Sequence, residues 1–255
     1  MTAGTVFHQS KKPLRLWFLA MFLFVSSKRG ISALELSRQV QVSKNTAWTW
    51  LHKLRVAMED REQMPLAGLV EADEAYVGGL EEGRGGRSLE KKACVAAAVE
   101  IHEGRSGFGR IRLAHLDDAS SRSLDEFVGS QVQAGSRVKT DGWRGYRNLG
   151  ELGYEHVVFK LSGSGQKAHQ VFPGSHRVFS LLKRFLLGTY QGAVSRRHLP
   201  KYLGEFEFRF NRRSSRSRGL LFQRLLSAGV RDRPMTHGEL VAEKGKGWPV
   251  NRWAA

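Results

Sequence analysis

The chain has 255 residues, 41% of them hydrophobic, with 41 Lys and Arg against 24 Asp and Glu, a net charge of +17 and a sequence pI near 10.5. That length allows a sizeable core in one large or two smaller domains of a soluble globular protein, and the charge calls for a polyanionic partner, nucleic acid or an acidic membrane surface. The single cysteine, Cys94, excludes an internal disulfide and any zinc site needing two thiolates, and it suits a reducing cytoplasm.

In chain order, the first element is the apolar run LRLWFLAMFLFV at Leu14–Val25. It follows two lysines, as a signal peptide would. It is too short to span a bilayer, lacks a small-x-small cleavage site and contains Arg15. It therefore reads as a buried helix of a small all-α N-terminal domain. The stretch ISALELSRQVQVSKNTAWTWLHKLRVAM (31–58) reads as a helix-turn-helix. Ser32 caps a first helix carrying Leu34, Leu36 and Val40; Ser43 caps a second in which Ala47, Leu51, Leu54 and Met58 recur at helical spacing. Lys44, Asn45 and Thr46 open the second helix, where base edges are read in a major groove. The polar stretch EDREQMP closes this domain, taken as residues 1–62.

Strands follow. Leu69–Val77 leads into the Gly/Arg-rich loop LEEGRGGRS, which carries Arg84 and Arg87, and then into the apolar strand Ala93–Glu100. Gly109–Leu116 alternates cleanly, and Ser120–Val132 fits a helix with Leu124, Phe127 and Val128 toward the sheet. A strand at Arg137–Gly142, a short irregular piece and a strand at His156–Lys160 complete an α/β order. The segment Ser162–Gly174 reads as a flexible linker by composition. Ser175–Tyr190 forms a helix with Val178, Leu181, Leu182 and Phe185 on one face and His176, Ser180 and Lys183 on the other. Leu199–Arg213 is a second amphipathic helix. It ends in NRRSSRSR, with Arg212 and Arg213, which suits either a phosphate-contacting patch or a solvated basic turn.

The strand LVEADEAYVGG contains three acids, Glu71, Asp73 and Glu74. Alternation puts Glu71 and Asp73 on one face and Glu74 on the other, either as solvated acids or as part of a site. Asp141, at the end of the strand RVKTDG, favours a site, because a sheet brings two such strand positions together. Two carboxylates sharing one place repel unless a divalent cation bridges them, which implies Mg²⁺ or Mn²⁺. With DNA as partner, the matching chemistry is two-metal phosphoryl transfer.

Taken together, VEADEAYVGG, VKTDGWRGY and HRVFSLLKR…GTYQGAVSRRHLPKYLGEFEFRFNRR resemble the ISXO-type branch of bacterial insertion-sequence transposases, of the DDE superfamily. TVFHQSKKPLRLWF and the helix-turn-helix extend the likeness over roughly Thr5 to Arg213. The resemblance implies a ribonuclease-H-like mixed sheet with flanking helices, preceded by the small helix-turn-helix domain. The expected organisation is a catalytic domain at 66–218 and a C-terminal helix and basic tail at 219–255. It implies Asp73 and Asp141 as the first two catalytic aspartates, His176 at the third position, usually glutamate, and Lys183 as the family's following lysine. Glu205 stands next in line as third ligand. Many relatives carry a zinc ribbon before the helix-turn-helix, so a shortened or separately encoded form is expected here. The implied activity is cleavage of element ends and joining of 3′-ends to target DNA. It would be carried out by a cytoplasmic, nucleoid-associated homo-oligomer in a synaptic complex, with no membrane partner. The alternatives are an inactive DNA-binding relic of a transposase and a ribonuclease-H-like DNA nuclease.

Overall fold

The computed structural model describes residues 2–59, 64–78, 92–102, 104, 107–160, 165–191, 194–231 and 235–242. Over these residues the chain forms two compact units. One combines Met1–Arg61 with Phe185–Lys246; the other is Glu62–Arg184. The helical unit is thus interrupted in sequence by the sheet unit. The reading of 66–218 as one domain differs from this partition, because the helices after residue 184 share a core with the N-terminal ones.

In the helical unit, α1 (Leu14–Ser26), α2 (Ala33–Val40) and α3 (Lys44–Met58) come first. Local chemistry sets their ends. The Ser32 hydroxyl accepts the Glu35 N–H at 3.1 Å, and the Ser43 hydroxyl accepts the Thr46 N–H at 3.2 Å. Gln41 takes the left-handed conformation between α2 and α3, with φ 57°. α7 (Leu199–Asn211), α8 (Arg218–Arg231) and the short α9 (His237–Ala242) complete the unit. Phe208, Leu221 and Leu225 join Trp17, Phe24, Leu36, Leu51 and Leu54 in one core. Of the apolar residues of α2, Leu36 and Val40 are buried and Leu34 is exposed. Within this core Arg55 is fully buried; its Nε donates to Glu205 Oε2 at 2.7 Å and its guanidinium lies 4.0 Å from the Tyr202 ring centroid.

The sheet unit contains β1 (Leu69–Gly78), β2 (Lys92–Ile101), β3 (Phe108–Leu116), β4 (Arg137–Thr140) and β5 (Glu155–Val158) in the order β3-β2-β1-β4-β5. The first three strands are antiparallel neighbours, whereas β4 runs parallel to β1 and β5 parallel to β4. This is the ribonuclease-H-like sheet that the resemblance implies. α4 (Ser121–Gln131), capped by Ser120, lays Leu124, Phe127 and Val128 on the face carrying Val70, Ala72, Ala96 and Ala98.

The other face is covered as well. The segment expected as a linker instead contains the turn α5 (Ala168–Val171) and the start of α6 (Pro173–Arg184), which contacts β1 and β2. Proline suits a first helical turn, where its missing N–H costs nothing. Gly174 permits the close approach: a Cβ there would lie 2.7 Å from Ile101 Cδ1 and 2.9 Å from Glu71 Oε2. α6 ends earlier than expected, and a π-helical turn, Phe185–Thr189, follows it in sequence.

Candidate active site

Parallel pairing of β1 with β4 aligns Glu71 with Lys139, so two residues further on the register brings Asp73 beside Asp141. β4 ends at Thr140. Asp141 therefore stands just beyond the strand, followed by Gly142 at φ 82°, and its Oδ1 accepts the Trp143 N–H at 2.9 Å. Asp73 is half-buried, and its Oδ1 accepts the Glu74 N–H at 2.9 Å. Burial pushes the Asp73 carboxyl up to about 7, and the nearby charges of Glu74 and Asp141 add to the shift. Wet, solvated acids would show no such crowding.

Glu74 turns to the opposite face, as alternation requires, and accepts the Tyr146 hydroxyl at 3.1 Å. Tyr146 is fully buried, and burial together with Glu74, Asp73 and Asp141 holds its hydroxyl well above the usual phenol range. It is thus a neutral donor among three carboxylates.

Glu71 has another job. It is 2% exposed, and its Oε2 accepts the backbone N–H groups of Gly174 at 2.9 Å and Ser175 at 3.0 Å. It satisfies the exposed donors at the start of α6 and joins that helix to β1. Burial raises its carboxyl, opposed by those two N–H groups and by the Lys139 charge. Lys139 in turn donates to the Val171 carbonyl at 2.6 Å. Ser175, anchored in this way, makes no hydrogen bond of ordinary length through its hydroxyl, yet that hydroxyl lies near enough to Asp73 to favour its charged form.

The remaining expected residues are placed as follows. His176, Ser180 and Lys183 are all exposed on one face of α6, and Val178, Phe179 and Leu182 are buried on the other. His176 follows Ser175 directly, and its ring lies 6.1 Å from that of His169. Among the described residues, no three His, Cys, Asp or Glu side chains form a group able to hold a metal ion, so Asp73 and Asp141 are brought together without His176 completing a triad. Glu205 belongs elsewhere. It is fully buried in the helical unit, bonded by Arg55, Arg209 and Tyr190, and serves that core instead of a metal. Lys44 and Asn45 are exposed and Thr46 half-exposed at the start of α3, while Arg212 stacks over the Phe208 ring and Arg213 over the Phe210 ring. Arg84 and Arg87 lie outside the described residues.

The reading of the sequence missed Glu71 as a helix anchor and Tyr146 as a partner of Glu74. The glycine after Pro173 was the one available signal, since only a residue without Cβ fits that close to the strand.

The crowded carboxylates fit a divalent cation: Asp73 and Asp141 are the residues that would hold it, and its charge would offset the burial and the neighbouring negative charges that raise Asp73.

A family model described as "ISXO2-like transposase domain" matches residues 65–211. A protein of transposable element ISH50 from Halobacterium salinarum is 26% identical over 223 residues, covering 81% of this chain and 72% of the relative. Among solved structures, the Mos1 strand transfer complex is matched at 12% identity and a TM-score of 0.29, over 87% of this chain and 81% of that one. A pre-cleavage Mos1 transpososome is matched at 13% identity and 0.28, over 90% and 82%. At those TM-scores the likeness carries no weight, and the fold rests on the strand order itself. No helix among the described residues is long and apolar enough to cross a membrane.

Proposed function

We propose, because this chain belongs to the family of ISXO2-like transposase domains, that it cuts DNA at the ends of an insertion sequence and joins the 3′-ends to a target. The observation that carries the reading is Asp73, half-buried and pushed up to about 7 beside Asp141, which stands just past the end of the neighbouring parallel strand. Asp73 and Asp141 are the side chains that would hold Mg²⁺ or Mn²⁺, with His176 as the proposed third donor. When bound, such ions supply Lewis acidity at the attacking and leaving oxygens of a phosphodiester.

The chain's own residues prepare that place. Glu71 fixes the start of α6, so that Ser175 lies near Asp73, and His176 is the next residue along that helix. Tyr146, a neutral donor, holds the Glu74 carboxylate on the far side of β1, which keeps a third carboxylate from swinging toward the pair. Lys183, exposed on the same α6 face as His176, is assigned to a phosphate of the bound DNA. In the helical unit, α2 and α3 are read as a helix-turn-helix whose Lys44, Asn45 and Thr46 meet base edges. Arg84, Arg87, Arg212 and Arg213 are assigned to phosphates, and two or more copies of the chain are proposed to pair the element ends.

The test is incubation of the full chain with duplex DNA bearing candidate ends and Mg²⁺ or Mn²⁺, scoring nicks and joined products. Asp73→Asn and Asp141→Asn are each expected to abolish both products and to leave DNA affinity nearly unchanged. Nicks without joins would indicate a nuclease, and binding without nicks a relic. Near wild-type joining by either variant would remove that aspartate from the site.

A further inference from the structure

The basic run after α7 is not simply a solvated turn. Lys28 beyond α1, Arg209 and Arg212 on or beside the end of α7, Arg213 after it, and Arg218 at the start of α8 line one cleft of about 220 Å³ in the helical unit. Val25, Phe208 and Leu221 form its apolar floor, and none of the lining residues is acidic. Arg209 is accounted for within the fold: it pairs with Glu205 and donates to the Ser27 and Phe24 carbonyls at 2.6 and 2.7 Å.

Arg212 and Arg213 are held in place by rings and backbone. The Arg212 guanidinium lies 4.2 Å from the Phe208 centroid and the Arg213 guanidinium 4.2 Å from that of Phe210, while Arg213 Nη1 also donates to the Phe210 carbonyl at 2.9 Å. A guanidinium stacked on a ring has little side-chain freedom left to lose when an anion arrives. α8 begins at this cleft, so its helix dipole adds positive potential there. Five cations and no acid lining one small cleft favour an anion there. The cleft has room for a tetrahedral oxyanion with several waters, at about 30 Å³ per water.

We infer that this cleft binds a single phosphate group, gripped by Lys28, Arg212, Arg213 and Arg218. This deepens the DNA-binding reading by adding a phosphate anchor distinct from the base-reading end of α3. The same chemistry is offered by the backbone of a duplex and by free phosphate, and the experiment separates the two.

The full chain is compared with Lys28→Gln/Arg218→Gln and with Arg122→Gln/Arg231→Gln, a control that loses the same charge at exposed positions outside the cleft. Thermal midpoints are measured in sodium phosphate and in sodium chloride at matched ionic strength, and duplex affinity is measured across a salt series. Phosphate is expected to raise the midpoint of the wild type and of the control and to leave the cleft variant unmoved. For a backbone phosphate, the cleft variant's plot of log affinity against log salt is shallower by about 0.9 for the lost contact. Its affinity then falls by a similar factor for every duplex sequence. A phosphate response with an unchanged salt slope assigns the cleft to the free anion. If phosphate stabilises the wild type no more than chloride does, the inference is overturned, whether or not the variants fold. If the cleft variant responds as the control does, it is overturned as well. A wild type that binds no duplex at any salt would remove the DNA-binding reading, while the thermal arm would still decide the cleft.

Discussion

Glu71 accepts two backbone N–H groups at the buried start of α6, so its removal strands both. Glu71→Ala is expected to lower unfolding free energy by about 2 kcal/mol or more, at roughly 1–3 kcal/mol per orphaned group. It should also slow joining, because α6 carries Ser175 and His176, with duplex affinity unchanged. Glu71→Gln keeps an acceptor oxygen of similar shape and should fall between the two; urea unfolding and a joining assay check both effects. His176→Ala is expected to cut joining with either ion, and His176→Glu to shift activity from Mn²⁺ toward Mg²⁺, since Mg²⁺ favours oxygen donors. Unchanged joining by the alanine variant in both ions would make His176 a plain helix-surface residue. His52 offers a pH prediction. Burial lowers its imidazole to about 2, helped by the charges of Arg55, His198 and Lys201, against 6.5 when unfolded. Below pH 6.5 the unfolded chain takes up a proton that the native chain refuses. Stability should therefore fall with pH by about 1.4 kcal/mol per unit through this group, and no further below about 2. His52→Leu should flatten that slope in unfolding curves recorded between pH 5 and 8. Of the three acids in LVEADEAYVGG, strand alternation separated Glu74 from Asp73. It could not separate Glu71 from Asp73, because they share a face and differ in their distant partners: the Gly174 and Ser175 N–H groups for Glu71, Asp141 for Asp73.

Individual elements divide along the same line. The starts of α2, α3 and α4 were legible because Ser32, Ser43 and Ser120 sit next to the N–H groups they cap. The strands were legible from alternation and from the apolar run of β2. The start of α6 was not, because SGSGQKAHQVFPG is loop-like in composition and becomes helical only against Glu71 and the sheet. The partnership of α3 with α7 was equally hidden: Arg55 and Glu205 are 150 residues apart and each looks like a surface charge. That pair makes a prediction about α1–α3. Removing one partner of a buried ion pair costs about 3–5 kcal/mol, so Glu205→Gln should lower stability by that order. A fragment ending at residue 61 should lack a cooperative melt, because it leaves Arg55 buried without Glu205 and the core without Phe208, Leu221 and Leu225. Joining 1–61 to 185–246 with a short linker should restore one; circular dichroism on heating distinguishes the two outcomes. A cooperative melt of the short fragment would show that the three helices fold alone.

For the whole molecule, with its excess of 41 Lys and Arg over 24 Asp and Glu, the proposed duplex binding is expected to weaken steeply with salt, through counterion release from the phosphates. Sequence preference should depend on α3 instead. Replacing Lys44 and Asn45 with alanine is expected to reduce discrimination between duplexes more than affinity for any one of them, measured by competition binding at fixed salt. The interrupted helical unit has a consequence for synthesis on the ribosome. α1, α2 and α3 leave the exit tunnel first, yet the residues that complete their core lie beyond position 200, on the order of ten seconds of translation later. The sheet unit, second in the chain, is the first for which every residue has been made. A message broken within the sheet unit therefore yields a product without a finished helical unit, and such a product is expected not to compete with the full-length protein for the DNA proposed as its partner.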